Sequence, residues 1–192
     1  MNVLLVISGP AGSGKNTVAE RLISEMDGKI ERVVTSTSRP PRGDEKNGID
    51  YNFFSKQGFE DAILNGEFYE YAKVHDNYYG TSKTAVKDAF GRGKDLILII
   101  DVQGADSWRK IASADPYIRE RLHSVFIKPP SIDELRKRLK NRGTDSQSDI
   151  DKRMLTALSE LERENEFDFV INSSSKDEDF NALKNYYLSL KH

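Results

Sequence analysis

The chain opens with a short apolar run, Val3-Leu4-Leu5-Val6-Ile7, that passes directly into Ser8-Gly9-Pro10-Ala11-Gly12-Ser13-Gly14-Lys15-Asn16-Thr17. Apolar residues without alternation, ended by glycine, predict a strand buried on both faces, as in parallel sheets. Gly9, Gly14 and Lys15 meet the spacing G-x-x-x-x-G-K, and the stretch Lys15–Met26 that follows has helical periodicity. Strand, glycine-rich loop and helix in that order leave few folds open. Glycines let successive backbone N–H groups turn toward phosphate oxygens, the helix N-terminus adds its positive end, and the lysine adds a point charge. By itself the loop predicts a nucleoside-triphosphate site. Asn16 stands where a Ser or Thr commonly ligates magnesium, with Thr17 beside it.

Further strands are expected at Lys29–Thr35, Asp95–Asp101, His123–Ile127 and Phe169–Ile171. Helices are expected at Ser82–Gly91, Gly104–Ser113, Ile132–Asn141, Ser148–Glu164 and Asp177–Lys191. This β-α rhythm predicts an α/β fold of three layers, a central parallel sheet flanked by helices. Ligands bind such sheets at the carboxyl ends of their strands. Two segments break the rhythm. Residues 36–79 read as a small mixed insert, with strand-like Asp50–Phe54 and Phe68–Val74 around a helical stretch at Phe59–Leu64. Residues 136–153 are dense in Arg and Lys and split by Gly143-Thr144, with Asp145, Ser146 and Ser148 as helix caps, so they read as two helices joined by a polar turn.

The bulk numbers exclude several classes. No cysteine is present, so disulfides and cysteine-based zinc sites are out. A net charge of −2 gives no global field toward nucleic acid. The apolar start lacks a positive n-region and is too short for a signal peptide, and no stretch approaches the roughly 20 apolar residues of a membrane span. A soluble cytoplasmic protein, with no nucleic-acid or membrane partner, is the expectation. His75, His123 and His192 show no metal spacing, and Trp108 reads as core.

Four further runs narrow the choice. They are Ser36-Thr37-Ser38-Arg39-Pro40-Pro41-Arg42-Gly43-Asp44-Glu45 continuing to Asp50-Tyr51, Gly66-Glu67-Phe68-Tyr69-Glu70-Tyr71-Ala72, Tyr78-Tyr79-Gly80-Thr81-Ser82, and Asp101-Val102-Gln103-Gly104. With Pro129-Pro130-Ser131 and Arg138-Leu139-x-x-Arg142-Gly143-Thr144, their order and spacing strongly resemble the guanylate kinases over nearly the whole chain, P-loop kinases of nucleoside monophosphates. The resemblance implies ATP and GMP (with dGMP) as substrates, magnesium as cofactor, and a single domain with core 1–35, 80–135 and 154–192, a GMP-binding insert 36–79 and a lid 136–153. It leaves monomer and homodimer open.

The resemblance also implies residue roles. Gly9 to Thr17 hold the ATP phosphates, and Asn172 lies near the ATP base. Arg39 and Arg42, with the hydroxyls of Tyr51 and Tyr79, meet the GMP phosphate. Thr35 belongs to the same pocket and Glu45 orients the arginines. Planar guanidinium forks suit a dianionic phosphate. Glu70 and Asp101 accept from the guanine N1–H and 2-amino group, and Thr81 bonds the base. A carboxylate would face a lone pair in adenine, and such pairing rejects the wrong partner by ~10⁴-fold or more. Lys15 and the lid residues Arg138, Arg142 and Arg153 stabilise the transferring phosphoryl group.

One departure concerns the metal. The strand before Gln103-Gly104 commonly reads acid-x-acid, and here it reads Ile99-Ile100-Asp101. With Asn16, this leaves the magnesium ligands open. Two rivals remain at this stage: a kinase of the same fold with another acceptor, such as a phosphorylated sugar, and a related binding module that has lost catalysis. Glu70, Tyr79, Thr81 and Asp101 together argue against the first; Lys15 and the lid arginines argue against the second.

Overall fold

The computed structural model describes residues 1–74, 76–141 and 147–191. Along the chain the elements are β1 (Leu4–Ser8), α1 (Lys15–Glu25), β2 (Ile30–Arg32), β3 (Ser36–Thr37), β4 (Asn52–Phe53), α2 (Lys56–Leu64), β5 (Phe68–Val74), β6 (Asn77–Ser82) and α3 (Lys83–Gly91). There follow β7 (Asp95–Ile99), α4 (Val102–Ala114), α5 (Pro116–Arg119), β8 (Leu122–Lys128), α6 (Ile132–Asn141), α7 (Gln147–Leu161), a 3₁₀ turn at Glu164–Glu166, β9 (Phe169–Asn172) and α8 (Lys176–Ser189). They form two compact units, one of Met1, Val3–Ile30 and Ile97–His192, the other of Asn2 and Glu31–Leu96.

The parallel sheet has the order β2-β7-β1-β8-β9. In the first unit β1 runs beside β8 from Leu4↔Leu122 to Ser8↔Phe126, and β8 beside β9 from Val125↔Phe169 to Lys128↔Asn172. All five residues of β1 are buried, as the unbroken apolar run predicts. Alternate residues serve opposite faces. Leu5 and Ile7 pack with Val18 and Leu22 of α1 and with Phe180, Leu183 and Tyr187 of α8. α4 packs against β1 and carries the fully buried Trp108. A smaller cluster joins α6 and α7 through Leu135, Leu139, Ile150, Met154 and Ala157.

The second unit is built on a four-stranded sheet of order β4-β3-β6-β5, with β3 antiparallel to β6 and β6 antiparallel to β5. Phe59 of α2 stacks on Phe68 at 4.4 Å and on Tyr78 at 5.4 Å, and Phe54 meets Phe59 edge-on at 5.6 Å. Apolar burial of this kind is what lets so small a sheet hold.

Several boundaries differ from the sequence reading. β2 stops at Arg32 rather than Thr35: the Asn52 N–H donates to the Thr35 carbonyl at 2.8 Å, so the chain has by then joined the second sheet. β7 stops at Ile99, and Asp101 becomes the N-cap of α4. α7 ends at Leu161, and a 3₁₀ turn follows where helix was expected to Glu164. β3, β6 and α5 were not anticipated. Two residues carry no period, Asn-Tyr-Tyr-Gly-Thr-Ser does not alternate, and four residues of helix rest on the Asp115 cap and Pro116.

Candidate functional site

The glycine-rich loop joins β1 to α1. Gly9 has φ 136°, and a Cβ there would lie 2.4 Å from the Ile127 carbonyl oxygen of β8, so only glycine lets the loop leave the sheet at this angle. The Ser13 N–H donates to the Pro10 carbonyl at 3.0 Å and closes the turn. α1 starts after Gly14 without a side-chain cap, whereas Ser55, Ser82, Asp101 and Ser175 cap α2, α3, α4 and α8. Its first N–H groups are thus left for an anion. Lys15 lies back on the loop, its Nζ donating to the carbonyls of Gly9 at 2.5 Å and Pro10 at 2.8 Å. A cleft of about 440 Å³ runs from Gly12, Gly14 and Thr17 toward Glu134 and Arg138 of α6 and the start of α8.

Arg138 donates from Nε to Glu134 Oε1 at 3.0 Å and from Nη1 to the Gly12 carbonyl at 3.4 Å. The carboxylate one helical turn back thus holds it over the loop, a placing role for Glu134 that the sequence reading did not assign. Arg153 is exposed on α7. Arg142 lies outside the described residues, as do Gly143, Thr144, Asp145, Ser146, His75 and His192. Asp101 accepts from the Gly104 N–H at 2.7 Å while exposed to solvent. Asn172 is exposed and does not line the cleft; its neighbours Ser173 to Lys176 do.

Glu160 is a residue the sequence did not reveal. It is half-buried on α7, and burial raises its carboxyl above the ordinary glutamate value, with the Asp101 charge adding and the Lys15 ammonium opposing. It lies seven residues after Arg153, which puts the two on one face of α7. In the sequence it sits in a run of charge with nothing to mark it.

The remaining predicted residues gather in the second unit. Thr37 faces Tyr79 across β3 and β6, and Glu70 faces Thr81 across β5 and β6. Paired residues share a face and neighbours alternate, so Thr37, Glu70, Tyr79 and Thr81 point to one side of the sheet. Phe68 and Tyr78 point to the other, against α2. Period 2 alone would put Glu70 with Phe68. A register shift between Phe68 and Glu70 prevents it: this β-bulge turns Glu70 over to Thr81. The Thr81 hydroxyl donates to Glu70 Oε1 at 2.6 Å, and Thr81 is fully buried.

Near Thr37 on this sheet, Arg39 is 6% exposed. Its guanidinium donates to Glu45 Oε2 at 2.9 Å and Oε1 at 3.0 Å, and to the Pro40 carbonyl at 2.7 Å. It lies 5.4 Å from the centre of the Tyr51 ring, which meets Tyr79 edge-on at 6.3 Å. The Glu45 carboxylate, with Tyr79 adding, holds Arg39 more firmly protonated than an ordinary arginine, and Arg39 with the Arg42 N–H holds Glu45 below the usual carboxylate range. Glu45 also accepts from the Arg42 N–H at 2.8 Å, so one carboxylate orders both arginine positions. Arg42 itself is exposed, and Thr35 contributes its carbonyl to Asn52. The structure therefore brings together Arg39, Glu45, Tyr51 and Tyr79, and separately Glu70 with Thr81.

Comparison with known proteins bears on the chain as a whole. The guanylate kinase family model matches residues 1–189. The chain is 41% identical over 186 residues to the guanylate kinase of Hydrogenovibrio crunogenus, covering 97% of this chain and 87% of that one. It is 39% identical over 169 residues to that of Clostridioides difficile, covering 88% and 78%. The crystal structure of guanylate kinase from Anaplasma phagocytophilum superposes with a TM-score of 0.71 at 31% identity, covering 98% of this chain and 85% of that one. Motif order, fold and similarity over almost the full length agree, and the chain belongs to the guanylate kinase family.

Proposed function

We infer that the protein transfers the terminal phosphoryl group of ATP to GMP, giving ADP and GDP, by direct in-line attack in a ternary complex. The observation that carries the acceptor is the bulge that turns Glu70 onto the buried Thr81 hydroxyl, on the face that also bears Tyr79. An oriented carboxylate suits the N1–H and 2-amino donors of guanine, with Asp101 as its companion. Arg39, Arg42, Tyr51 and Tyr79 take the GMP phosphate, with Glu45 fixing the arginines and Thr35 at the edge of the pocket. A phosphate monoester loses its second proton near pH 6, so its oxygen attacks without a general base. The uncapped α1 N-terminus, Lys15 and the arginines 138, 142 and 153 meet the charge spread over the moving phosphoryl group. Residues 36–79 act as the acceptor-binding insert and 136–153 as the lid that keeps water from the phosphoryl group.

Magnesium enters with ATP. Among the described residues no group of three or more His, Cys, Asp or Glu could hold a metal, and Ile99 supplies no ligand. Oxygen donors of Asn16 and Thr17 beside Lys15 fit a cation held chiefly by phosphate oxygens and water. A cation held there would supply charge neutralisation for the transferring phosphates. Among the described residues no helix is long and apolar enough to cross a membrane; family membership supports a cytoplasmic enzyme.

Lys15→Ala tests catalysis. It is expected to lower kcat by at least about 10²-fold while equilibrium binding of GMP is kept. Unchanged turnover would contradict the role of the loop.

A further inference from the structure

Beyond the loop, the cleft is walled by a serine turn, Ser173-Ser174-Ser175, that joins β9 to α8. Asp179, one turn into α8, is 6% exposed and accepts from Ser173 Oγ at 2.6 Å and from the Ser174 N–H at 3.0 Å. Glu178 accepts from Ser174 Oγ at 2.5 Å and from Ser175 Oγ at 3.1 Å. An ionised carboxylate accepts and cannot donate, so these pairings fix the direction of all three hydroxyl hydrogens. The serine oxygens are left with lone pairs and no free proton.

Two observations mark this wall as a binding surface for the uncharged part of a nucleotide. Ser13, in the loop, is fully buried and lines the same cleft, and its Oγ has no hydrogen-bond partner among the described residues. The first turn of α8 carries Lys176 with Asp177, Glu178 and Asp179; Arg21 pairs with Asp177 at 2.5 Å, and the Glu178 and Asp179 carboxylates bound to the serine turn disfavour phosphate there. The phosphates belong on Gly9 to Lys15, and the nucleoside continues toward the serine turn.

We propose that Asp179 is a positioning residue for donor-base selection: by taking the Ser173 proton it presents the turn as a hydrogen-bond acceptor, which suits the exocyclic amino group of adenine and opposes the O6 of guanine. The proposal rests on the reading of the cleft as the donor site. Asn at position 179 would reverse the polarity. Its amide N–H would donate to Ser173 and free the serine proton to face the ligand.

The test is equilibrium binding of ATPγS and GTPγS to the full chain without acceptor, followed by donor kinetics at saturating GMP, for wild type, Asp179→Asn and Ser173→Ala. Wild type is expected to prefer the adenine nucleotide. Asp179→Asn is expected to weaken ATPγS binding about tenfold and to lower the ATP:GTP preference at least as much, with kcat and the KM for GMP within about twofold. Ser173→Ala, which removes the acceptor and keeps the buried carboxylate, is expected to lose ATPγS affinity in the same direction and decides the matter if Asp179→Asn does not fold. An unchanged ATP:GTP preference in the folded variants would overturn the proposal while leaving the kinase reading intact. Failure of wild type to bind either analogue would overturn both.

Discussion

Lys15 and Glu160 are near each other in effect and far apart in legibility. Lys15 stands at a fixed offset from Gly9 and Gly14, so its role follows from spacing alone. Glu160 matters because α7 buries it within the field of Lys15 and Asp101, and nothing in the sequence says which of Glu160, Glu162 and Glu164 that is. Its raised carboxyl has a consequence for stability. From the ordinary glutamate value of 4.5 upward, the folded chain keeps a proton that the unfolded chain has released. Glu160 therefore costs stability increasingly as pH rises through that window, and the cost is absent below it. Glu160→Gln is expected to match wild type most closely at the acid end and to exceed it at pH 7–8 by on the order of 1 kcal/mol or less, given half-exposure. Paired thermal midpoints across pH check this; a variant that loses ground to wild type as pH rises would contradict it.

At the scale of elements, the long periodic pieces were legible and the short paired ones were not. β1 announces itself as an unbroken apolar run, and α1, α6 and α8 because their period is carried by many residues. β3 and β6 are defined by pairing with their neighbours in the second sheet, and the bulge at Tyr69 has no sequence mark, yet the bulge decides which face Glu70 occupies. Resemblance supplied Glu70 and Thr81 as residues; the register supplies the reason they meet. Gly80 makes this possible, since a Cβ there would lie 2.8 Å from the Glu70 carbonyl oxygen and 3.1 Å from Tyr71 Cβ. Gly80→Ala is expected to push the β5 backbone aside, destabilise by about 1–3 kcal/mol, and raise the KM for GMP with the KM for ATP unchanged. Denaturant unfolding and two-substrate kinetics read both effects. Equal changes in the two KM values would separate Gly80 from the acceptor face.

For the whole molecule, order and spacing of motifs over nearly all of the 192 residues made the family legible, where the loop alone gave only a triphosphate site. In the function proposed, acceptor choice belongs to the assembled face, where Glu70, Thr81, Tyr79 and Arg39 come from three separate stretches of chain. The cleft proposed for the donor likewise joins Gly12 to Val18 with Glu134 and Arg138 and with Ser173 to Asp179, a grouping no local pattern contains. The central claim is that this assembly phosphorylates GMP and selects against other monophosphates. ADP release from ATP-magnesium, measured in parallel with GMP, AMP, CMP, UMP and no acceptor, tests it most directly. The account predicts release with GMP exceeding that with AMP by at least about 10³-fold in kcat/KM, and background without acceptor. Comparable release with AMP, CMP or UMP, or none with any acceptor while GMP still binds, would contradict it.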